Sequence, residues 1–149
     1  MNQIPNEELF KEIDLIQACI DRMARNSFMI KGWALTLFAG ALALLKGDIF
    51  SYPWLVLIAV VLPYIAFWYI DAYFLNVEKS YRALYKWVIT QRPNGDKTRQ
   101  YDLNPRRFMG KFHKVFFSKT LLLFFGVPSI IITIISVVSL IKSSIGCAS

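Results

Sequence analysis

The sequence predicts an all-α membrane protein with three transmembrane helices, an N-terminal amphipathic helix and a long second helix that extends into the cytosol. Three apolar stretches, 28–45, 53–75 and 120–141, approach or reach the length that crosses a bilayer. The composition agrees, because 56% of the 149 residues are hydrophobic and the mean hydropathy is +0.43. The charged segments between these stretches are too short to bury cores of their own, so we expect one membrane domain.

The distribution of charge predicts the orientation of the chain. The net charge is +7, and fifteen of the seventeen Lys and Arg residues lie within 1–31 and 79–119. Basic residues concentrate on the cytoplasmic side of a membrane. We therefore expect a multi-pass protein of the bacterial inner membrane, with its N-terminus in the cytoplasm and its C-terminus outside.

Residues 5–26 have the pattern of an amphipathic cytoplasmic helix. Glu7 and Glu8 suit its first turn, where the helix dipole favours negative charge. Apolar residues then recur at spacings of four and three, as they do along a coiled-coil seam. These residues are Leu9, Ile13, Ile16, Ile20 and Met23. The helix is expected to pack on its own subunit or, alternatively, to form a coiled coil with another subunit.

The first predicted span, 28–45, combines one charge with a set of small residues. Lys31 lies in its first turn, where a long side chain can reach the lipid headgroups. Gly32, Thr36 and Gly40 recur every four residues and form a small-residue stripe on one face. Such a stripe lets two helices approach closely. Its expected partner is either the second span of the same chain or another subunit.

The second predicted span, 53–75, continues into 76–90 without a break signal, so we predict one helix that leaves the membrane. A short turn before residue 53 makes the first two spans an antiparallel hairpin. That hairpin places Lys31 at nearly the same depth as Asp71, the ionisable residue of the second span. We predict an intramembrane charge pair between them, which serves either as a structural clamp or in ion movement.

A loop at 91–104 and a basic interfacial helix at 105–118 are predicted next. The turn residues at 92–96, Arg-Pro-Asn-Gly-Asp, end the long helix, and Asn104 and Pro105 suit the start of a new one. The basic residues expected to bind anionic lipid are Arg106, Arg107, Lys111 and Lys114. A nucleotide or RNA is the alternative, but the segment lacks a glycine cradle and a base-stacking platform, which makes nucleic acid the less favoured partner.

The third predicted span, 120–141, carries hydroxyl groups along one face. They belong to Ser129, Thr133 and Ser136. Hydroxyls on an apolar helix usually bond back to carbonyls or join helices. This face is therefore a candidate packing face, with pore lining as the alternative.

No motif in the sequence predicts enzyme chemistry. It contains no phosphate-binding glycine loop, no dinucleotide fingerprint and no Cys/His spacing typical of a metal site. The single histidine, His113, lies in the basic segment. We therefore predict no catalytic, cofactor-binding or metal-ligating residues, and a protein that is not an enzyme.

Two stretches resemble the SLATT-type bacterial membrane domains. The first is Asp-Arg-Met-Ala-Arg-Asn-Ser at 21–27, followed by Lys-Gly-Trp-Ala at 31–34. The second is Trp-Tyr-Ile-Asp-Ala-Tyr-Phe-Leu at 68–75, followed by Glu78, Lys79 and Arg-Ala-Leu-Tyr at 82–85. The resemblance covers about residues 7–90. It implies an oligomeric membrane effector of antiphage systems, triggered by a separate cytosolic sensor protein or a nucleotide signal.

Taken with the composition, the resemblance leads to two functional expectations. The first is a homo-oligomeric inner-membrane effector of a bacterial defence system that permeabilises the membrane when a partner or signal triggers it. The second is a membrane scaffold or anchor subunit without conductance, which docks a cytosolic partner. Membrane lipids are the expected surroundings in both.

Overall fold

The computed structural model describes residues 6–44, 58, 61–96 and 98–146. Over these residues the protein is helical and contains no β-strand. Two long helices, α1 (Asn6–Leu44) and α2 (Leu62–Gln91), come first. The elements that follow are a 3-10 turn (Arg92–Asn94), a second 3-10 turn (Pro105–Phe108), α3 (Phe112–Phe116), α4 (Lys119–Leu121), a π-helical turn (Leu122–Gly126) and α5 (Val127–Gly146).

Helices α1 and α2 form an antiparallel pair. Glu12 near the start of α1 contacts Arg92 just after the end of α2. Further along α1, Ser27 contacts Asp71. The two helices therefore run in opposite directions, and the apolar core lies between them.

The first half of α1 packs on the second half of α2. Ile16, Leu84 and Val88 form the centre of this cluster. The residues of the predicted seam that surround or join this centre are Leu9, Ile13, Ile16 and Ile20. The seam is thus occupied within the chain, which favours packing on the same subunit over a coiled coil between subunits.

The second half of α1 and the first half of α2 pack with the segment that follows α3. Ala34, Tyr64 and Phe125 belong to this second core cluster. The Trp68 ring stacks on the Phe116 ring with centroids 4.8 Å apart, and Trp68 Nε1 donates to the Phe116 carbonyl at 3.2 Å. These contacts attach α3 and the π-helical turn to α2.

Two predicted boundaries differ from the structure. The predicted helices 5–26 and 28–45 are one continuous helix over Asn6–Leu44, because no proline or glycine interrupts the junction near residue 27. The predicted basic helix 105–118 is instead a 3-10 turn and a short α-helix. Met109 and Lys111 between them have extended backbone, with ψ of 121° and 116°.

The prediction of three transmembrane helices is corrected by the structure. Among the helices of the described residues, none combines the length and the mean apolarity that a membrane crossing requires. The apolar runs read from the sequence do not coincide with described helices. The runs 28–45 and 53–75 reach beyond the described residues, and the run 120–141 is divided among α4, the π-helical turn and α5.

Several other expectations depended on those spans and fall with them. They are the multi-pass inner-membrane location and the cytoplasmic N-terminus with an external C-terminus. The role of a pore-forming effector in antiviral defence has no support in the structure and stays a prediction. The turn predicted before residue 53 and the first residues of the predicted span 53–75 lie outside the described part of the chain.

Candidate functional site

Lys31 of α1 and Asp71 of α2 lie close together between the two helices. Lys31 Nζ lies 2.6 Å from Asp71 Oδ2 and donates to Ser27 Oγ at 2.7 Å. Ser27 in turn donates to Asp71 Oδ1. The Asp71 side chain is fully buried, whereas that of Lys31 is partly exposed. A buried carboxylate requires such a partner, so this cluster fixes the register of α1 on α2.

The small-residue stripe of α1 does not face α2. Gly32, Thr36 and Gly40 are all exposed, and a Cβ atom built on either glycine meets nothing within 4 Å. Among the described residues of the second predicted span, none packs against this stripe. The stripe lies on the outer face of α1, where a neighbouring molecule can reach it.

Large apolar side chains surround that stripe. Phe28 is 77% exposed, Trp33 63% and Leu35 59%. The same side of α1 is polar in the first half of the helix, where Asp14, Asp21 and other charged residues are exposed. The outer surface of one continuous helix thus changes from charged to apolar near residue 28.

The hydroxyl groups of α5 are engaged by their own helix. Ser129 Oγ donates to the Phe125 carbonyl at 2.7 Å, and Thr133 Oγ1 donates to the Ser129 carbonyl at 2.8 Å. The side chain of Ser136 lies outside the described part of the structure. The hydroxyl groups of Ser129 and Thr133 thus donate their hydrogen bonds to backbone carbonyls one turn earlier.

A buried ion pair closes the end of the hairpin. Arg92 donates from Nε and Nη2 to the two carboxylate oxygens of Glu12, at 2.9 and 2.7 Å. Its Nη1 donates to the carbonyls of Asp96 and Thr98, at 2.7 and 2.9 Å. The hydrogen bonds to Glu12 raise the pKa of Arg92 above its ordinary value. Arg92 therefore stays charged, and its hydrogen bonds hold the loop against α1.

The backbone of that loop is constrained. Gly95 has a φ of +85°, and the non-glycine residues Arg99 and Tyr101 have φ values of +56° and +61°. The left-handed region is unfavourable for side chains with a Cβ, by about 1–2 kcal/mol per residue. The Tyr101 N–H donates to Glu12 Oε1 at 3.2 Å. The ion pair thus holds one of the two strained residues directly.

The basic residues predicted at 106–114 lie on two separate elements, the second 3-10 turn and the start and interior of α3. Arg106, Arg107, Lys111 and Lys114 are all exposed, and none of them forms an ion pair in the described structure. The Arg107 guanidinium lies over the Trp87 ring, 5.1 Å from its centroid.

An aromatic cluster holds the π-helical turn. Tyr64 is 2% exposed, and its hydroxyl donates to the Phe124 carbonyl at 3.1 Å. A π-helical turn leaves carbonyls without their usual helical partners, and Tyr64 supplies a donor to one of them. Burial raises the pKa of Tyr64 from 10.0 to about 12, because the charged phenolate is less well solvated there.

A shallow, open groove of about 380 Å³ lies between α1 and α2. The residues that line it are Gln17, Ile20, Asp21, Arg82 and Tyr85. Arg82 is already paired with Glu78 at 2.8 Å. The groove is adjacent to charged residues of both signs and has no evident preference for one class of ligand.

The buried ion pair of Glu12 with Arg92 and the contact of Arg107 with Trp87 were not predicted from the sequence. Glu12 lies between Leu9 and Ile16 on the apolar face of α1, and a charged residue at such a position signals a buried partner. Arg92 was interpreted only as a turn residue. The contact of Arg107 with Trp87 had no signal in the sequence, because twenty residues and two turns separate them.

Neither metal chemistry nor a known relative assigns a function to these features. The described residues contain no group of His, Cys, Asp and Glu side chains that could hold a metal ion. Comparison of the chain with protein-family models, with curated proteins and with solved structures gives no match. The resemblance to the SLATT-type domains therefore stays a prediction.

Proposed function

We propose that this protein is a structural subunit without catalytic activity, which associates with copies of itself through the outer face of the second half of α1. The observation that carries the proposal is the exposed small-residue stripe, Gly32, Thr36 and Gly40, among large exposed apolar side chains. A monomer in water rarely exposes a contiguous surface of this kind without a partner.

The physical gain from such an association is substantial. Burying each of Phe28, Trp33 and Leu35 contributes roughly 1.5–3 kcal/mol. The glycines let the backbones of two helices come close, so the large side chains on either side can interdigitate. Two copies of the same face can satisfy each other, as in a symmetric dimer, and the face needs no complementary second surface.

Association is best tested by adding bulk to the stripe without disturbing the subunit. Gly32→Leu fits the isolated fold, since a Cβ at Gly32 meets nothing within 4 Å, and it also favours the helix. Its control is Ala18→Leu, which adds bulk to an exposed position in the first half of α1. Light scattering coupled to size-exclusion chromatography gives the protein mass of each particle.

The wild-type protein is expected to run at a multiple of the 17.2 kDa chain. Gly32→Leu should weaken association by about tenfold or more, which is about 1.4 kcal/mol, whereas Ala18→Leu should not. A wild-type particle with the protein mass of one chain, including one enlarged only by bound detergent or lipid, would refute the proposal. A dissociation constant that Gly32→Leu leaves unchanged, read from the particle mass over a dilution series, would also refute it.

A further inference from the structure

Helix α5 presents a regular stripe of apolar side chains on its outer face. The residues of this stripe recur at alternating spacings of three and four, as the a and d positions of a coiled coil do. Each of their side chains is between 45% and 61% exposed. They are Val127, Ile130, Ile134, Val137 and Ile141. We call these five residues the α5 seam.

The residues around the α5 seam show how the helix is oriented. Ile132 lies on the opposite side of α5 and is 6% exposed, so that side packs against the chain's own residues. Ile131 and Val138 each follow a residue of the α5 seam directly and are also exposed. They widen the apolar face from the two positions of a simple coiled coil to the three that a helix in a bundle buries.

The α5 seam is suited to other copies of the same helix. The stretch 127–141 contains no charged residue, so identical helices that lie side by side bring no like charges together. Every residue of the α5 seam is β-branched. β-branched residues at both the a and the d positions favour three or four parallel helices, whereas leucine at the d positions favours two.

The exposed area agrees with an assembly that uses this helix. Fully burying a Val or Ile side chain removes roughly 60–120 Å² of apolar area from water, so the half-exposed α5 seam and its flank offer roughly 200–400 Å² per copy. Phe28 and Trp33 of the α1 face add roughly 200–350 Å². A stable interface buries roughly 800 Å² on each partner, which the α1 face alone does not reach and which the two surfaces together approach.

We propose that the α5 seams of three or four copies of this chain pack together as a parallel bundle. The a and d residues fill the centre of the bundle, and Ile131 and Val138 contact the neighbouring copy on one side. Ile132 keeps each α5 attached to its own subunit. The α5 seam lies on a different helix from the α1 face, so this inference goes beyond the proposed self-association, and either interface can form without the other.

The α5 seam is tested in the full chain carrying Gly32→Leu, in which the α1 interface is weakened. Light scattering coupled to size-exclusion chromatography should give a protein mass of three or four chains of 17.2 kDa. Adding Ile134→Lys should weaken the assembly by about a hundredfold or more, because each copy would bury an ammonium group in the bundle. Its control, Thr133→Lys, places the same charge on the preceding exposed residue, at a flanking position where coiled coils accept lysine, and should leave the mass unchanged.

A second variant changes the number of copies. Replacing both d residues, Ile130→Leu together with Val137→Leu, should lower the mass to two chains. A Gly32→Leu particle of one or two chains, including a single chain that carries detergent or lipid, would overturn the proposal. Equal dissociation constants for Ile134→Lys and Thr133→Lys, or an unchanged mass for the leucine variant, would also overturn it. The effect of Gly32→Leu on the wild-type dissociation constant tests the α1 interface alone, so the two proposals fail separately.

Discussion

Removing Glu12 should destabilise the protein far more than removing an exposed acid from the same helix. In Glu12→Ala, the Arg92 guanidinium stays buried and loses two charged hydrogen bonds. Breaking a buried pair from one side typically costs about 3–5 kcal/mol, because an uncompensated charge remains. The Arg92 side chain is 0% exposed and that of Glu12 is 3% exposed, so water cannot replace the missing carboxylate without opening the loop.

The assay is thermal and urea unfolding followed by circular dichroism, with Glu7→Ala as the control. The Glu7 side chain is 80% exposed, and exposed ion pairs contribute about 1 kcal/mol or less. For a chain of this length, a loss of 3–5 kcal/mol lowers the Tm by about 6–20 °C. Hydrogen exchange should become faster at the Tyr101 N–H, which donates to Glu12.

The double variant Glu12→Leu, Arg92→Met tests the mechanism itself. If an unpaired buried charge causes the loss, removing both charges should restore most of the stability. Equal midpoints for Glu12→Ala and Glu7→Ala would show that the pair does not hold the end of the hairpin, and the reasoning would be refuted.

Three further predictions concern the rest of the helical pair. Lys31→Met leaves the buried Asp71 carboxylate with Ser27 alone and should cost about 3 kcal/mol in urea unfolding; a loss below 1 kcal/mol would contradict this. Because the pKa of Tyr64 is raised to about 12 in the folded state, the folded protein binds more protons than the unfolded chain above pH 10. Stability should therefore fall between pH 10 and about 12, by up to about 3 kcal/mol, and Tyr64→Phe should remove this part of the slope. Gly95→Ala should cost about 1–2 kcal/mol, since φ at this residue is +85°; an unchanged denaturation midpoint would show that the turn rearranges without strain.

The helices themselves follow from local sequence patterns. Apolar residues at 9, 13, 16 and 20 recur with the helical period, and they pack on α2 in the structure. The turn residues at 92–96 end α2 near the predicted position. Opposite charges at Lys31 and Asp71 also meet, because an antiparallel pair of uninterrupted helices has few possible registers.

The length of apolar runs predicted the helices less well than the periodicity of apolar residues did. Counting apolar residues led to three membrane spans, yet no described helix meets the requirement for crossing a bilayer. A run of apolar residues does not show where a helix begins and ends. The run 120–141 illustrates this, since its residues are shared among two α-helices and a π-helical turn that Tyr64 holds through a contact sixty positions away.

The sequence alone determined that the segments of α1 and α2 are helical, which of their residues recur on one face and where charge accumulates, because these properties depend on neighbours within a few turns. Tertiary structure decided which way each face points. It turned Gly32, Thr36 and Gly40 outward, buried Glu12 against Arg92 eighty positions away, and set Arg107 on Trp87. Such pairings depend on how the helices pack in three dimensions. The periodicity of apolar residues along one helix carries no information about which residues of another helix it will contact.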